Sequence, residues 1–211
     1  SLQPGIIVDD RLDLRDVEGG WDFTTPEQVK VDKWPEYNGK KIPWETCQTF
    51  SGSWGYYRDE TTWKSPAQLI ELLVESVSKG GNLLLNVGPT ARGTFDYRAQ
   101  DRLSAMGEWM KYNGRSVYGC TEAPAEFKAP ANTVLTYNPS TKRIYVHLLV
   151  YPMGRITLPG MADKVKYVQF LHDASEIRFS RGTGEGSGDL SLTLPVLKPP
   201  VEIVVLELFL K

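Results

Sequence analysis

The sequence predicts an α/β region followed by an all-β region, and two observations support this fold class. First, an amphipathic helix ends at Gly80-Gly81, and the apolar run Leu83-Leu84-Leu85 follows almost at once. A run that does not alternate with polar residues indicates a strand buried on both faces, as in a parallel sheet covered by helices. Second, short stretches rich in Val, Ile, Tyr and Thr recur through residues 134–209, which is typical of an antiparallel β-sandwich.

The α/β region contains three predicted strands and two predicted helices. The strands lie near residues 5–9, 43–49 and 82–87, and the helices span residues 66–79 and 97–112. The first helix has a complete start signal, because Ser65 can cap it, Pro66 suits its first position and Gln68 closes a capping box. A closed barrel needs eight strands and ~250 residues, so these elements predict only part of a (β/α) barrel-like domain.

The second helix is predicted to start after the capping residue Asp96 and to end at Gly114. Its buried stripe is predicted to consist of Ala99, Leu103, Met106 and Met110. Residues 12–43, by contrast, carry turn signals and predict a long loop. A loop of this length without secondary structure is uncommon and is usually functional.

The all-β region contains seven predicted strands. They span residues 134–138, 143–150, 155–158, 164–171, 175–180, 190–197 and 201–209. The helical period ends at Gly114 and the strand pattern begins after Pro130, so we expect a domain boundary between Tyr118 and Ala131. We therefore divide the chain into domains at residues 1–122 and 123–211.

The composition of the 211 residues narrows the possible functions. The chain is 41% hydrophobic and 24% charged with a net charge of −2, which suits a globular protein and gives no reason to expect nucleic acid as a partner. No apolar run approaches the ~20 residues of a membrane span, so we expect no membrane partner. With only His147 and His172 present, a histidine metal cluster cannot form, and we predict neither metal nor cofactor.

The ends and the cysteines leave some questions open. The first residue, Ser1, is not a start methionine, which suggests that the chain was cut or processed at its front. Cys47 and Cys120 could pair in an oxidising compartment or remain buried thiols, and both alternatives stand.

Two groups of residues in the first region could bind a ligand. Asp9, Asp10 and Arg11 follow the predicted strand Ile6–Val8, where barrel enzymes keep ligand-binding groups, although a solvated loop would look the same. Tryptophans crowd the polar loops of this region, at Trp21, Trp34, Trp44, Trp54 and Trp63. Flat aromatic faces among carboxylates and an arginine suit a sugar, but such tryptophans could also anchor long loops.

Four motifs together resemble the α-L-fucosidases of glycoside hydrolase family 29. They are Trp21-Asp22-Phe23-Thr24-Thr25-Pro26-Glu27, Trp44-Glu45-Thr46-Cys47, Ser53-Trp54-Gly55-Tyr56 and Gly80-Gly81-Asn82-Leu83-Leu84-Leu85-Asn86-Val87-Gly88-Pro89. The resemblance covers the whole chain and implies the C-terminal half of a barrel-like catalytic domain followed by a β-sandwich. It also implies that the family's nucleophilic aspartate and its fucose-binding histidines lie upstream of this chain.

The resemblance assigns roles to particular residues. Glu27, in Thr-Pro-Glu, matches the general acid/base, which would need a raised pKa from partial burial beside Trp21 or Phe23. Arg11 matches a sugar-binding arginine and Trp54 an aromatic residue of the pocket for the fucose methyl group, with Trp44 as a further substrate-binding residue.

Some of these assignments have alternatives. Glu45 competes with Glu27 for the acid/base role or could bind substrate, because it too lies at a strand beside a tryptophan. Asp9, Asp10 and Asp22 are weaker candidates, expected to be loop and cap residues. The implied reaction is retaining hydrolysis of a fucoside through a covalent fucosyl-aspartate, with carboxyls about 5–5.5 Å apart. The competing hypothesis is an inactive remnant that binds carbohydrate or serves a structural role.

The resemblance also implies partners and a location. The expected substrate is a fucosylated oligosaccharide or glycoconjugate, and the upstream half of the catalytic domain is expected as a partner chain or a removed segment. Self-association into a homo-oligomer is possible, because about three strands leave open sheet edges. The family resemblance is consistent with a secreted, periplasmic or lysosomal protein.

Overall fold

The computed structural model describes residues 3–211 and consists mostly of sheet with few helices. Strands of the first region are β1 (Glu36–Tyr37), β2 (Lys40–Lys41), β3 (Glu45–Thr49) and β4 (Asn82–Asn86), with helices α1 (Pro66–Val77) and α2 (Tyr97–Asn113). Those of the second region are β5 (Thr121–Glu122), β6 (Thr133–Asn138), β7 (Arg143–Leu148), β8 (Arg155–Leu158), β9 (Val165–Phe170), β10 (Phe179–Arg181), β11 (Leu190–Thr193) and β12 (Val204–Leu210). Two 3₁₀ turns lie at Gly114–Ser116 and Gly184–Gly186.

Both helices of the first region form as predicted. The Ser65 side chain accepts a hydrogen bond from the Gln68 backbone, and the Gln68 side chain returns one to the Ser65 backbone, which completes the capping box. Asp96 caps α2 by accepting from the Arg98 backbone, and Gly114 ends that helix. After α1, the chain turns into β4, which pairs in parallel with β3, as the helix-to-strand pattern indicated.

The strand predicted near residues 5–9 does not form. Ile6 and Ile7 are 66% and 71% exposed, and the only ladder contact of this segment is a single parallel bridge between Asp9 and Phe23. An apolar run becomes a buried strand only when a neighbouring strand and a covering layer are present, and within residues 3–211 this segment has a neighbour on one side alone.

The predicted long loop, residues 12–43, conceals an extended segment. Isolated parallel bridges join Asp9 to Phe23, Thr24 to Trp44 and Glu27 to Cys47. The segments 8–10, 23–28, β3 and β4 therefore lie side by side, in chain order and all parallel. We call them the parallel segments. The expectation that residues 12–43 lack sheet contacts was wrong. Turn residues around positions 19 and 38 dominate the local pattern, and the extended stretch between them is too short to show a strand pattern of its own.

The prediction that the strand at 82–87 is buried on both faces was also wrong. Leu83 and Leu85 pack with Leu69 and Leu72 of α1. Leu84 points the other way and is 48% exposed. Helices thus cover only one face of the parallel segments in the described chain.

The second region has two antiparallel sheets around one core. The five-stranded sheet has the order β5-β6-β7-β12-β9 and the three-stranded sheet the order β10-β11-β8. Each of the seven expected strands has a counterpart, although the one predicted at 175–180 forms only at Phe179–Arg181, and the two-residue β5 is added at the edge of the larger sheet. The core contains apolar residues from both sheets, among them Val146, Leu158, Leu192 and Leu206.

A second apolar cluster joins the helices to the outer face of the five-stranded sheet. Its buried members are Ile70, Val74, Trp109, Tyr145, Leu171, Ile203 and Val205. The indole Nε1 of Trp109 donates to the carbonyl of Ile203 at 2.8 Å. The predicted stripe of α2 was therefore only partly right, because the sheet lies against the Trp109 side of the helix while Leu103 is 38% exposed.

Both cysteines and both histidines of the chain lie within the described residues. Cys47 and Cys120 are both free thiols. His147 is buried in β7, and His172 lies in the turn after β9. Within residues 3–211, neither helix combines the length and the apolar character that a membrane crossing needs.

Candidate active site

The uncovered face of the parallel segments carries the polar residues that the sequence singled out. On β3, Thr46 and Gln48 point to the opposite side, where both donate to the carbonyl of Val29. Because side chains alternate along a strand, Glu45 and Cys47 point to the uncovered face. Hydrogen bonds and a parallel bridge bring Asp9, Arg11, Thr25 and Glu27 beside them. We call these six residues, Asp9, Arg11, Thr25, Glu27, Glu45 and Cys47, the open-face cluster.

Arg11 and Glu27 form an ion pair at the centre of this cluster. The Arg11 Nη2 donates to Glu27 Oε2, and each side chain keeps 42% of its surface exposed. The hydrogen bond to Glu27 raises the pKa of Arg11 above its ordinary value, and the Glu27 and Asp9 charges add to this shift. Neither side chain is buried, so the pair is open to an incoming ligand.

Thr25 links two carboxylates of the cluster. Its hydroxyl is a hydrogen-bond donor to Asp9 Oδ2 and lies 3.5 Å from Glu45 Oε1, and the residue is only 3% exposed. The other Asp9 oxygen accepts from the Arg11 backbone at 2.7 Å. Asp9 therefore orders the turn that presents Arg11, as expected of a loop residue.

Glu45 differs from Glu27 in having no cation beside it. Within residues 3–211, its carboxylate takes part in no ion pair, and its side-chain contact is the Thr25 hydroxyl. Burial raises the pKa of the Cys47 thiol, Arg11 opposes this shift, and the Glu27 and Glu45 charges reinforce it. The two glutamates and the arginine therefore surround one thiol.

Asp10 and Asp22 have structural roles. Asp10 is 4% exposed and accepts from Arg15 Nε and Thr24 Oγ1, each at 2.8 Å. Burial alone would raise the pKa of Asp10, but the Thr24 hydrogen bond and the Arg15 charge outweigh it and lower that pKa. Asp22 Oδ2 accepts from the Val8 backbone at 2.8 Å. Neither belongs to the open-face cluster.

The two predicted substrate-binding tryptophans have different environments. Trp54 is 40% exposed in the loop after β3, and its carbonyl accepts from Asn86 at the end of β4. Trp44 is 2% exposed, its Nε1 donates to the Lys79 carbonyl, and its ring lies against Gly81. The assignment of Trp44 to substrate binding was wrong, because Trp44 packs on the helix-covered side and presents no ring face.

Sequence reasoning missed Thr25 and Cys47 as members of the cluster. The signal was present, because Thr25 and Glu27, like Glu45 and Cys47, are two positions apart and therefore share a face of an extended chain. In the part of the chain that the structure describes, no group of three or more His, Cys, Asp or Glu side chains could hold a metal ion.

Comparison with known proteins identifies the family. The family model for Alpha-L-fucosidase matches residues 1–115, more than half of the chain. The chain belongs to the alpha-L-fucosidase family.

Individual relatives agree with this assignment. An Alpha-L-fucosidase of Dictyostelium discoideum is 28% identical over 207 residues, which is 96% of this chain and 42% of the relative. The Tissue alpha-L-fucosidase of Rattus norvegicus is 33% identical over 181 residues, 81% of this chain and 38% of the relative. Alpha-L-fucosidase isoenzyme 1 from Paenibacillus thiaminolyticus superposes with a TM-score of 0.83 at 34% identity, over 91% of this chain and 46% of that one. This chain thus spans less than half the length of the relatives it matches.

Proposed function

We propose that the open-face cluster is the acid/base side of an α-L-fucosidase active site that removes terminal fucosyl residues from fucosylated glycans. The observation that carries the proposal is the meeting of Arg11, Glu27 and Glu45 on one uncovered face of parallel segments. Ligand-binding groups of barrel enzymes follow the carboxyl ends of such strands, and Arg11 lies directly after the segment 8–10. On this basis, the residues before β5 are part of a (β/α) barrel-like catalytic domain and strands β5 to β12 form its C-terminal β-sandwich, which moves the boundary expected between residues 122 and 123 to the start of β5.

In this mechanism, Glu27 is the general acid/base. Its carboxyl protonates the glycosidic oxygen as the bond to fucose breaks, and its carboxylate then takes a proton from the water that releases the sugar. The nucleophile is an aspartate outside this chain, and configuration is retained. Arg11 is suited to two tasks, since it holds Glu27 in the free site and has five donors for sugar hydroxyls once a ligand enters.

Glu45 is the second candidate for the acid/base role, and one observation favours it. A carboxylate oxygen of Glu27 already accepts the hydrogen bond of the Arg11 guanidinium, whereas a general acid must turn its own O–H to the glycosidic oxygen. Glu27 has that guanidinium beside it and Glu45 does not, within the described residues. In this alternative, Thr25 orients Glu45, and Glu27 binds substrate together with Arg11.

Substitution of each glutamate in the full-length polypeptide tests the assignment. We expect Glu27→Gln to lower turnover of natural fucosides by about 10²–10⁴-fold and to affect substrates with activated leaving groups far less, because only poor leaving groups need the proton. Azide should partly rescue Glu27→Gly. Glu36→Gln, in the exposed hairpin β1-β2, is the matched control and should be neutral.

The outcomes distinguish the two glutamates. If Glu45→Gln shows the leaving-group dependence and azide rescue while Glu27→Gln does not, the roles are exchanged. If neither variant changes turnover, the open-face cluster is not the acid/base site.

The uncovered face also bears on partners. Ile6, Ile7 and Leu84 are exposed apolar residues beside charged groups. We propose that a further part of the catalytic domain, which contributes the nucleophile, packs here, and that this chain alone does not hydrolyse fucosides. Activity on an aryl α-L-fucoside should require that part. If the intact protein is inactive, the inactive-remnant hypothesis replaces this one, and if the 211 residues alone are fully active, the nucleophile lies among them.

A further inference from the structure

A large cavity lies outside the open-face cluster, between the C-terminal half of α2 and the loop before β12. Its volume is about 580 Å³, and its polar lining residues include Glu108, Tyr112, Asn113, His172, Lys198 and Glu202. A volume of roughly 300–1,000 Å³ is typical of sites for small molecules. None of its residues belongs to the open-face cluster.

Two buried polar atoms of this cavity have no hydrogen-bond partner within residues 3–211. Asn113 is fully buried, and its Oδ1 accepts no hydrogen bond from residues 3–211, although its Nδ2 donates to the Trp109 carbonyl. The Nδ1 of His172 is likewise buried and without a partner among those residues. The Asp173 carboxylate lies 3.6 Å from the other ring nitrogen of His172, Nε2, so Nδ1 is the ring nitrogen left for a ligand. Buried polar atoms without partners cost free energy that a hydrogen bond to a ligand would recover.

Two donors around the cavity, the Lys198 ammonium and the Trp109 indole, are already engaged. The Lys198 ammonium donates to the carbonyls of Val201 and Glu202, at 2.6 and 3.2 Å, and so holds the loop that forms one wall. The Trp109 indole donates to the Ile203 carbonyl. Glu108 and Glu202 take part in no ion pair within the described chain. The groups left open to a ligand include the Asn113 amide oxygen, His172 Nδ1 and the Tyr112 hydroxyl, and a ligand with hydroxyl groups, which both donate and accept, suits all three.

Charge and shape narrow the class of ligand further. Lys111, whose Nζ lies 5.0 Å from the centre of the Tyr112 ring, and Lys198 together balance the charges of Glu108 and Glu202, so the surroundings of the cavity have no net charge that would favour an ionic ligand. The ligand that remains is neutral and carries several hydroxyls. The Tyr112 side chain, 46% exposed, offers an apolar surface on which a sugar ring can pack.

We propose that this cavity is a second, non-catalytic carbohydrate site, which binds a neutral sugar through Asn113 and His172 and packs it against Tyr112. The proposal does not depend on fucosidase activity, because binding here needs no residue of the open-face cluster. If the protein does hydrolyse glycans, the site would hold a part of the glycan away from the bond that is cleaved.

The test is sugar binding by the full-length polypeptide and its variants. The probes are L-fucose, D-galactose and lactose, followed by NMR through the side-chain amide of Asn113 and the ring of His172. We expect at least one sugar to shift both signals with a Kd on the order of 1 mM. Tyr112→Ala should weaken that binding about tenfold, whereas Tyr97→Ala, an exposed tyrosine on the same helix that does not line the cavity, should leave it unchanged.

Other outcomes overturn the proposal. Binding that is lost in Arg11→Ala and kept in Tyr112→Ala would place the sugar at the open-face cluster. Shifts caused by tetramethylammonium and by none of the sugars would make the cavity a cation site. Absence of any shift in a folded protein would show that no sugar binds there. Each result is independent of whether Glu27→Gln changes turnover, so failure of the carbohydrate site and failure of the catalytic proposal can be told apart.

Discussion

The two regions of this molecule bury their apolar residues to very different extents. The sheets of residues 123–211 enclose a core that includes fully buried Leu158, Leu192 and Leu206. The cluster beneath the parallel segments has only three buried members, Phe50, Leu69 and Leu72. The region with the enclosed core carries no proposed chemistry apart from one wall of the cavity, and the region with an uncovered face carries the catalytic candidates. A substrate must reach the active site, so the face that carries it has to be accessible. A hydrophobic core is stable only when the surrounding sheets exclude water from it.

Removing a buried leucine should show the largest difference between the two regions. Leu206→Ala should lower the free energy of unfolding by about 2–5 kcal/mol, because it leaves a cavity among residues that cannot collapse around it. Leu84→Ala, at a half-exposed position on the uncovered face, should change it by less than about 0.5 kcal/mol. Denaturant unfolding of both variants measures the contrast. A loss at Leu84 as large as that at Leu206 would mean that the uncovered face is covered in solution.

Two glycines of the first region, Gly81 and Gly107, differ in how closely side chains pack around them, and substitution of each by alanine measures that difference. A Cβ at Gly81 would lie 2.1 Å from Cε2 of the Trp44 ring, so Gly81→Ala should lower the free energy of unfolding by about 1–3 kcal/mol through overpacking. Gly107 is the control, because a Cβ there meets nothing within 4 Å and Ala is the better helix former. Gly107→Ala should raise stability by roughly 0.5–1 kcal/mol. Thermal unfolding checks both, and equal effects would show that the Trp44 packing is not restrictive.

Between pH 7 and pH 5, the free energy of unfolding should change mainly because of a histidine in the antiparallel sheets. His147 is buried, its Nε2 lies 3.0 Å from Thr136 Oγ1, and burial lowers the pKa of His147 to about 3. The unfolded chain binds the proton at its ordinary pKa near 6.5, so stability is complete above that pH and falls as the pH drops toward 3. The loss is at most about 1.4 kcal/mol per pH unit.

Comparison of two histidine variants tests this origin. Urea unfolding at pH 7, 6 and 5 should show the loss in the unmodified protein and in His172→Gln, but a smaller loss in His147→Gln. An unchanged slope in His147→Gln would assign the pH dependence to other groups.

Local signals in the sequence were reliable where the interaction itself is local. The capping box of α1 involves residues three positions apart, and the alternating strands of the second region carry their own pattern of buried and exposed positions. Both were predicted correctly. The strand near residues 5–9 was not, because whether Ile6 and Ile7 are buried depends on neighbours far away in the chain.

The residues of the candidate site were likewise predictable only where a local motif marks them. Motifs nominated Arg11, Glu27, Glu45 and Trp54 as candidates, but no motif distinguishes a buried tryptophan such as Trp44 from an exposed one, so Trp44 was misassigned. The ion pair between Arg11 and Glu27 and the bridging role of Thr25 depend on the packing of segments 8–10 and 23–28. The sequence of either segment alone does not show which residue of segment 8–10 lies opposite which residue of segment 23–28.

The cluster that joins the helices to the five-stranded sheet has an evolutionary consequence. Ile70 and Val74 of α1 pack with Val205 of β12, and α1 leads directly into β4, the partner of the strand that holds Glu45. The C-terminal strands therefore support, from behind, the scaffold of the proposed acid/base site. A lineage that lost or exchanged those strands would have to find other residues to cover α1 before it could keep Glu45 in place, so the two regions are expected to be inherited together.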